Sequence, residues 1–177
     1  MKRLILSGLV LLAGMTSCQR DVTTDTATGD VNVTVSATLP AGMAGTRAAG
    51  DGLTVDRCIM QVYLDGEPCG ERQTAALRDL KATFTARLVS GRRYNLVFWA
   101  DKSGENLNTD LHYDTSNFAD VSFTGEYAGN DESRDAFFGN VELTASESQA
   151  VDVELHRPFG QLNVRTLDMA EVPAGLV

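Results

Sequence analysis

The sequence predicts an all-β protein, an antiparallel β-sandwich of about seven strands. Short segments alternate apolar and polar residues with the period of two that half-buried strands show. Turn-forming Gly, Asp, Asn and Ser recur between these segments. No window of about 11 residues has the apolar spacing of an amphipathic helix. Seven short strands separated in this way are typical of two antiparallel sheets packed face to face.

The N-terminus predicts export of the chain. A basic start, Met1–Arg3, precedes an apolar run from Leu4 to Ala13. That run is about half of the roughly 20 residues that a membrane-spanning helix needs. Residues 1–17 are therefore predicted to be a signal peptide and are excluded from the fold.

A cysteine follows the signal peptide directly. Met15-Thr16-Ser17-Cys18 resembles the lipobox of bacterial lipoproteins, which implies that the chain is cut before Cys18 and that this residue is acylated. More than one acyl chain gives stable membrane anchoring. The alternative is a secreted protein without lipid. Residues 18–30 are polar and without apolar periodicity, which indicates a flexible tether.

The first strand is predicted at Val31–Leu39, with Val31, Val33, Val35 and Ala37 on one face and polar residues on the other. A loop of small residues, Pro40–Gly52, follows. The remaining strands are predicted in the segments Val55–Gly66, Leu80–Gly91, Arg93–Asp101, Val121–Tyr127, Ala136–Thr144 and Gln149–Arg157.

Three of these expectations are more specific. Arg93–Asp101 is almost continuously apolar, which is typical of a central strand covered on both faces. Asp65-Gly66-Glu67-Pro68 is expected to turn the chain back on itself. The irregular segment between Asp101 and Val121 is predicted to be a long connection, and a short helix around Thr74–Leu80 is conceivable but not required.

The last 20 residues start a fresh pattern after the seventh strand. Phe159, Gln161, Asn163 and Arg165 alternate with apolar neighbours. We therefore assign the main sandwich to residues 31–157 and interpret 158–177 as the first strand of a second, missing β domain. The alternative is that this strand docks on the first domain.

The two remaining cysteines, Cys58 and Cys69, form an even pair in an exported chain, for which a disulfide is possible. Two separately buried thiols are an equal alternative. The sequence has no CxxC motif or Cys/His cluster, so it predicts no zinc site and no cofactor. The net charge of −9 disfavours nucleic-acid binding through phosphate contacts.

No catalytic motif is present, and the chain is predicted not to be an enzyme. His112 and His156 are interpreted as surface histidines. The acidic loops Asp101–Asp110 and Gly129–Asp135 offer oxygen ligands for a cation, but solvated turns explain them better. The aromatic residues Tyr94, Phe98 and Trp99 could stack on a sugar, although core packing is the preferred interpretation because adjacent strand residues face opposite ways.

Three segments carry a family resemblance: "RYNLVFWADKSGENL", "VSFTGEYAGNDESRDAFFGNVELT" and "VELHRPFGQLNV". Here the sequence resembles the fimbrillin-like lipoproteins of Bacteroidetes, the pilins and anchors of type V pili, in their N-terminal pilin-like domain. The resemblance implies transthyretin-like, Greek-key sandwiches, a lipid anchor in the outer membrane, and a place at the cell surface or in a fimbrium. It also implies other fimbrial subunits as partners.

In that family a surface protease cuts after an arginine that follows the first strand, and a strand of the next subunit fills the groove left behind. The matching residues here are Arg47 and Ala48, and the exchangeable strand would carry Val31, Val33, Val35, Ala37 and Leu39. The alternative is an ordinary loop. A second hypothesis for the whole chain is a monomeric surface protein that binds a glycan or a host protein.

Overall fold

The computed structural model describes residues 29–40, 52–126 and 131–159. The predicted signal peptide, Cys18 and most of the tether lie outside the described residues. So do Arg47, Ala48 and residues 160–177, which hold most of the predicted extra strand.

The prediction of an all-β antiparallel sandwich is confirmed. One sheet has the strand order β10-β1-β5, and the other has the order β3-β2-β6-β9, with β4 also paired to β2. A short ladder, β7–β8, stands apart from both, and one 3₁₀ turn spans Glu132–Arg134. The strands are β1 (Asp30–Thr38), β2 (Arg57–Leu64), β3 (Glu67–Pro68), β4 (Gln73–Ala76), β5 (Lys81–Val89), β6 (Arg93–Asp101), β7 (Tyr113–Asp114), β8 (Ser122–Phe123), β9 (Phe137–Thr144) and β10 (Gln149–Glu154).

The core lies between the two sheets and follows from the alternation of each strand. In β5 every second residue is buried and its neighbours are exposed. The rings of Phe84 on β5 and Phe98 on β6 meet across the interface with centroids 5.9 Å apart. Because the inner faces carry the apolar half of each pattern, their burial supplies the main stabilisation of the sandwich.

Strand β6 is a central strand, as its continuous apolar character predicted, and it is covered on both faces at its C-terminal end. It lies between β2 and β9. On its outer side Trp99 packs edge-on against Tyr113, with centroids 5.2 Å apart, and both side chains are almost fully buried. The long connection between β6 and β9 therefore folds over one part of the outer face of this sheet.

The structure differs from the sequence prediction in three details. Strand β10 pairs in parallel with β1, because alternation fixes which face a residue takes but not the direction of its neighbour. The Thr74–Leu80 segment is no helix, since Gln73–Ala76 pairs with β2. Within residues 121–126, the described part of the Val121–Tyr127 segment, only the two residues of β8 form a strand.

The predicted reversal after β2 is present. Asp65 and Gly66 both have positive φ, of 54° and 86°, and they connect β2 to β3 as the two central residues of a hairpin turn. Among the described residues, no helix has the length and apolar character to cross a membrane. The transthyretin-like topology stays a prediction.

Candidate functional site

Strand β1 is the central strand of the three-stranded sheet. It pairs antiparallel with β5 along its whole length and parallel with β10 from Val33 to Thr38. Val33, Val35 and Ala37 are completely buried, and Leu39, just beyond the strand, is 1% exposed. Val31 is only partly buried at the start of the strand. The residues that the sequence assigned to an exchangeable strand thus lie on one continuous, core-facing row.

Removing β1 would leave a groove with defined walls. On one side lies β5, whose inward residues Ala82, Phe84, Ala86 and Leu88 are all buried. On the other side β10 contributes Val153 and the chain beyond it Leu155. The backbone N–H and C=O groups of both neighbours would lose their partners along this groove. An extended segment with alternating apolar residues has the shape and the hydrogen-bonding groups to fill it.

Gly52 is the first described residue after Pro40, and contacts with other residues fix its position. The backbone N–H of Gly52 donates to the carboxylate of Asp135, at 3.2 Å, and Arg157 donates to the other oxygen of the same carboxylate at 2.5 Å. A Cβ at Gly52 would approach a methyl carbon of Leu39 to 2.8 Å. Leu39 and Gly52, which are described on either side of residues 41–51, therefore lie close together beside the core.

Cys58 and Cys69 are free thiols in this structure, with Cys58 buried and Cys69 half-buried. The N–H of Cys69 donates to the carbonyl of Val62, which lies four residues along β2 from Cys58. Four strand residues span roughly 13 Å, and a disulfide needs Cα atoms within about 7 Å. Burial raises the pKa of the Cys58 thiol to about 12, which makes it unreactive.

A buried ion cluster lies at one end of the five-stranded sheet. Arg57 is 1% exposed, and its guanidinium binds Asp101 through two nitrogens, at 2.6 and 3.1 Å. It also donates to Asp110 at 2.7 Å and to two carbonyls of the connection, those of Leu107 and Thr109. Burial raises the pKa of the Asp101 carboxyl despite this contact. The cluster ties the long connection to β2 and β6.

The contribution of this cluster to the stability of the fold depends on pH through Asp110. Burial alone would raise the pKa of its carboxyl, but hydrogen bonds from Thr115 and Arg57 outweigh that effect and hold the pKa below its ordinary value. The pKa of Asp110 is lower in the folded protein than in the unfolded chain, where it is about 4, so the ionised carboxylate stabilises the fold at pH values above about 4. This stabilisation is lost as the pH falls through the pKa of the folded state.

We therefore expect Asp110→Asn to be less stable than the wild type at pH 7, with a difference that narrows below about pH 4. Urea unfolding at pH 7 and at pH 3 measures the two differences. A stability difference between the two proteins that stays constant or increases at pH 3 would contradict this role of Asp110.

Four of the carboxylates in the acidic loops that were considered as cation ligands have protein partners. Asp101 and Asp110 bind Arg57, and Asp131 accepts from Ser133 at the start of the 3₁₀ turn. The carboxylate of Asp135 accepts hydrogen bonds from Gly52 and Arg157, as described above. Within ranges 29–40, 52–126 and 131–159, no three His, Cys, Asp or Glu side chains are grouped for a metal ion.

One histidine lies beside a serine. His112 Nε2 is 2.8 Å from the hydroxyl of Ser133, and that hydroxyl also donates to Asp131 at 2.5 Å. A catalytic triad needs the carboxylate on the imidazole, where it orients the base. Here the carboxylate binds the serine, so the arrangement caps a turn and lacks the geometry of a nucleophile with its base. His156 is exposed and pairs through its backbone with Phe138.

The aromatic trio considered as a sugar platform is buried. Tyr94 and Phe98 belong to the main core, and Trp99 lies beneath the long connection. Open aromatic side chains occur elsewhere on the same sheet, at Tyr63 and Phe138. Sequence reasoning missed Tyr63 because it is the one aromatic residue of β2, and Phe138 because it directly follows another phenylalanine, Phe137, which is buried. It missed Arg57 because its partners are 44 and 53 positions away along the chain.

The comparisons with known proteins give one family and a general likeness of fold. A family model, described as a family of unknown function (DUF6562), matches residues 24–176. Comparison with curated proteins gives no match.

Two solved structures are similar over 72% of this chain. One is a DUF1812 protein of Bacteroides thetaiotaomicron, provisionally described as polysaccharide-binding, with 15% identity and a TM-score of 0.47. The other is a fimbrial assembly protein of Parabacteroides distasonis, with 16% identity and a TM-score of 0.49. The matched region covers 47% of the first structure and 53% of the second, so this chain spans about half of their length.

Proposed function

This chain belongs to DUF6562, a family of unknown function, and we propose that it is a cell-surface structural subunit, or the anchor, of a pilus-like fimbria that assembles by strand exchange. Its partners would be other fimbrial subunits. The observation that carries the proposal is the central place of β1 between β5 and β10, with its apolar row in the core.

A central strand is well suited to exchange because its loss cannot be repaired by small movements. Without β1, the facing edges of β5 and β10 would be separated by two strand spacings, roughly 9.6 Å. Loss of the apolar side chains of Val33, Val35, Ala37 and Leu39 would open an apolar groove between these two strands. A donor strand from a second subunit satisfies the backbone groups and the apolar groove at once, which is β-augmentation.

The donor pattern is set by the strand that it replaces. It needs apolar residues at alternate positions, with a small side chain where Ala37 pairs with Ala82 and Val153. It also needs a direction parallel to β10 and antiparallel to β5. A one-residue slip would turn its polar residues into the core, so the register is strongly specified.

The proposal assigns the N-terminal residues to delivery and release. An acylated Cys18 would hold the subunit at the outer membrane with residues 18–30 as a tether. Cleavage between Arg47 and Ala48 would release β1 from the rest of the chain. An uncut chain would keep its lipid and serve as an anchor.

The processing step can be tested with the purified chain. Treatment with an arginine-specific protease is expected to cut after Arg47 and to produce a ladder of oligomers that resist mild detergent on a gel. Arg47→Lys should resist that protease and remain monomeric. A lysine-specific protease should then cut the variant and restore the ladder.

The Arg47→Lys variant distinguishes cleavage after residue 47 from cleavage at any other position. Intact-mass spectrometry should give an N-terminus at Ala48 for the wild type and for the lysine-cut variant. Oligomers that form equally in uncut Arg47→Lys, or cleaved chains that stay monomeric with β1 still bound after mild heating, would contradict strand exchange.

A further inference from the structure

The outer face of the five-stranded sheet has a cleft that the strand-exchange proposal does not use. Its volume is about 620 Å³, which is within the range of pockets that hold small ligands. Asn95 and Val97 of β6 lie in its middle, Tyr63 of β2 on one side, and Phe138 of β9 on the other. Phe118 of the long connection also lines it.

The three aromatic side chains of this cleft are accessible, and one of them is held by a neighbouring cation. Phe138 is 38% exposed, and Tyr63 and Phe118 are partly buried. The guanidinium of Arg72 lies 4.8 Å from the centre of the Phe118 ring. Arg72 is itself fixed by hydrogen bonds to the carbonyl and hydroxyl of Thr115. The Phe118 ring is therefore positioned before any ligand binds.

Polar groups lie between these rings. The amide NH₂ of Asn140, on the neighbouring strand, donates to the amide carbonyl of Asn95 at 3.2 Å, which leaves the NH₂ of Asn95 for a ligand in the cleft. Arg93 and Glu142, which also line the cleft, form an ion pair with each other. Their charges cancel, and Asp65 of the turn after β2 adds one carboxylate to the lining, so the cleft offers donors and acceptors but no net positive charge for an anionic ligand.

We propose that this cleft binds a neutral oligosaccharide. A sugar ring has an apolar C–H face, which fits an aromatic ring, and a rim of hydroxyls, which fits paired amides and an ion pair. A lipid chain would bury the polar groups without hydrogen-bond partners, which is unfavourable. A nucleic acid or another polyanion is disfavoured by the net charge of −9.

The cleft lies on the sheet that does not contain β1 and on the face that points away from the core. Sugar binding would therefore be independent of strand exchange. A monomeric, uncut chain would bind as well as an assembled one, so the failure of either proposal leaves the other standing.

The test uses isothermal titration calorimetry of the purified chain with linear hexasaccharides of glucose, mannose, xylose and galactose. At least one is expected to bind, and Tyr63→Ala and Phe138→Ala are each expected to weaken that binding by about tenfold or more. Tyr63→Phe keeps the ring and should retain most of the affinity.

Phe123→Ala is the matched control, because Phe123 is 48% exposed but does not line the cleft. Its binding should equal that of the wild type. Thermal melting of each variant establishes that it is folded, and Asn95→Ala provides a second test of the cleft should a ring variant fail to fold. The proposal is overturned if no hexasaccharide binds at millimolar concentration. Binding that survives all three cleft substitutions, or that falls equally in Phe123→Ala, would also overturn it.

Discussion

Arg57→Ala is expected to lower the free energy of unfolding by about 3–5 kcal/mol. The substitution would leave the carboxylate of Asp101 without its bidentate partner at a position that is 0% exposed. A buried charge that loses its counter-ion carries the full cost of its desolvation. The carbonyls of Leu107 and Thr109 would lose a donor at the same time.

Urea unfolding followed by tryptophan fluorescence measures this effect, since Trp99 lies on β6 beside the cluster. Arg87→Ala is the matched control, because Arg87 is 76% exposed in its ion pair with Asp30 and should cost less than about 1 kcal/mol. The double variant Arg57→Ala/Asp101→Ala should cost less than the sum of the two single changes, since the charges are removed together. If the double variant loses as much unfolding free energy as the two single variants together, Arg57 and Asp101 are not a coupled pair.

Val35→Asp is expected to have the second large effect, a loss of more than about 4 kcal/mol that prevents β1 from staying in its sheet. Val35 is completely buried between Phe84 of β5 and Val151 of β10. A carboxylate there would have to be ionised without a partner or be protonated in an apolar core. Either state disfavours the strand in its groove.

Thr34→Asp provides the comparison for this change. Thr34 is the next residue on the same strand, it faces outward, and it is exposed, so its substitution should cost less than about 0.5–1 kcal/mol. Hydrogen exchange of the β5 and β10 amides reports whether β1 is in place. Equal protection of these amides in the two variants would mean that the inward row of β1 does not hold the sheet together.

Alternation in the sequence predicted the strands well where each had one apolar face. The burial of every second residue in β5 and the buried row of β1 both follow from period two. The continuous apolar character of β6 correctly indicated a central strand, although only its C-terminal end is covered on both faces. Strand β4 could not be predicted in this way, because the four residues of Gln73–Ala76 are all half-buried and have no alternation.

The pairing of strands and the ion cluster could not be predicted, because both join residues distant in sequence. Nothing near Arg57 indicates that Asp101 and Asp110 will lie around it. The cleft has the same origin: Tyr63, Phe118 and Phe138 come from two strands and a loop. Their sequence neighbours give no sign that the three rings share one surface.

The sequence by itself determined which residues face the core, because the backbone of a strand places successive side chains on opposite sides whatever its neighbours are. It also marked the turn at Asp65-Gly66, where the required positive φ is a local property. Only the tertiary structure decided that β1 lies between β5 and β10 and that Arg57 meets its carboxylates. These outcomes depend on packing between distant segments, for which local conformational preference carries no information.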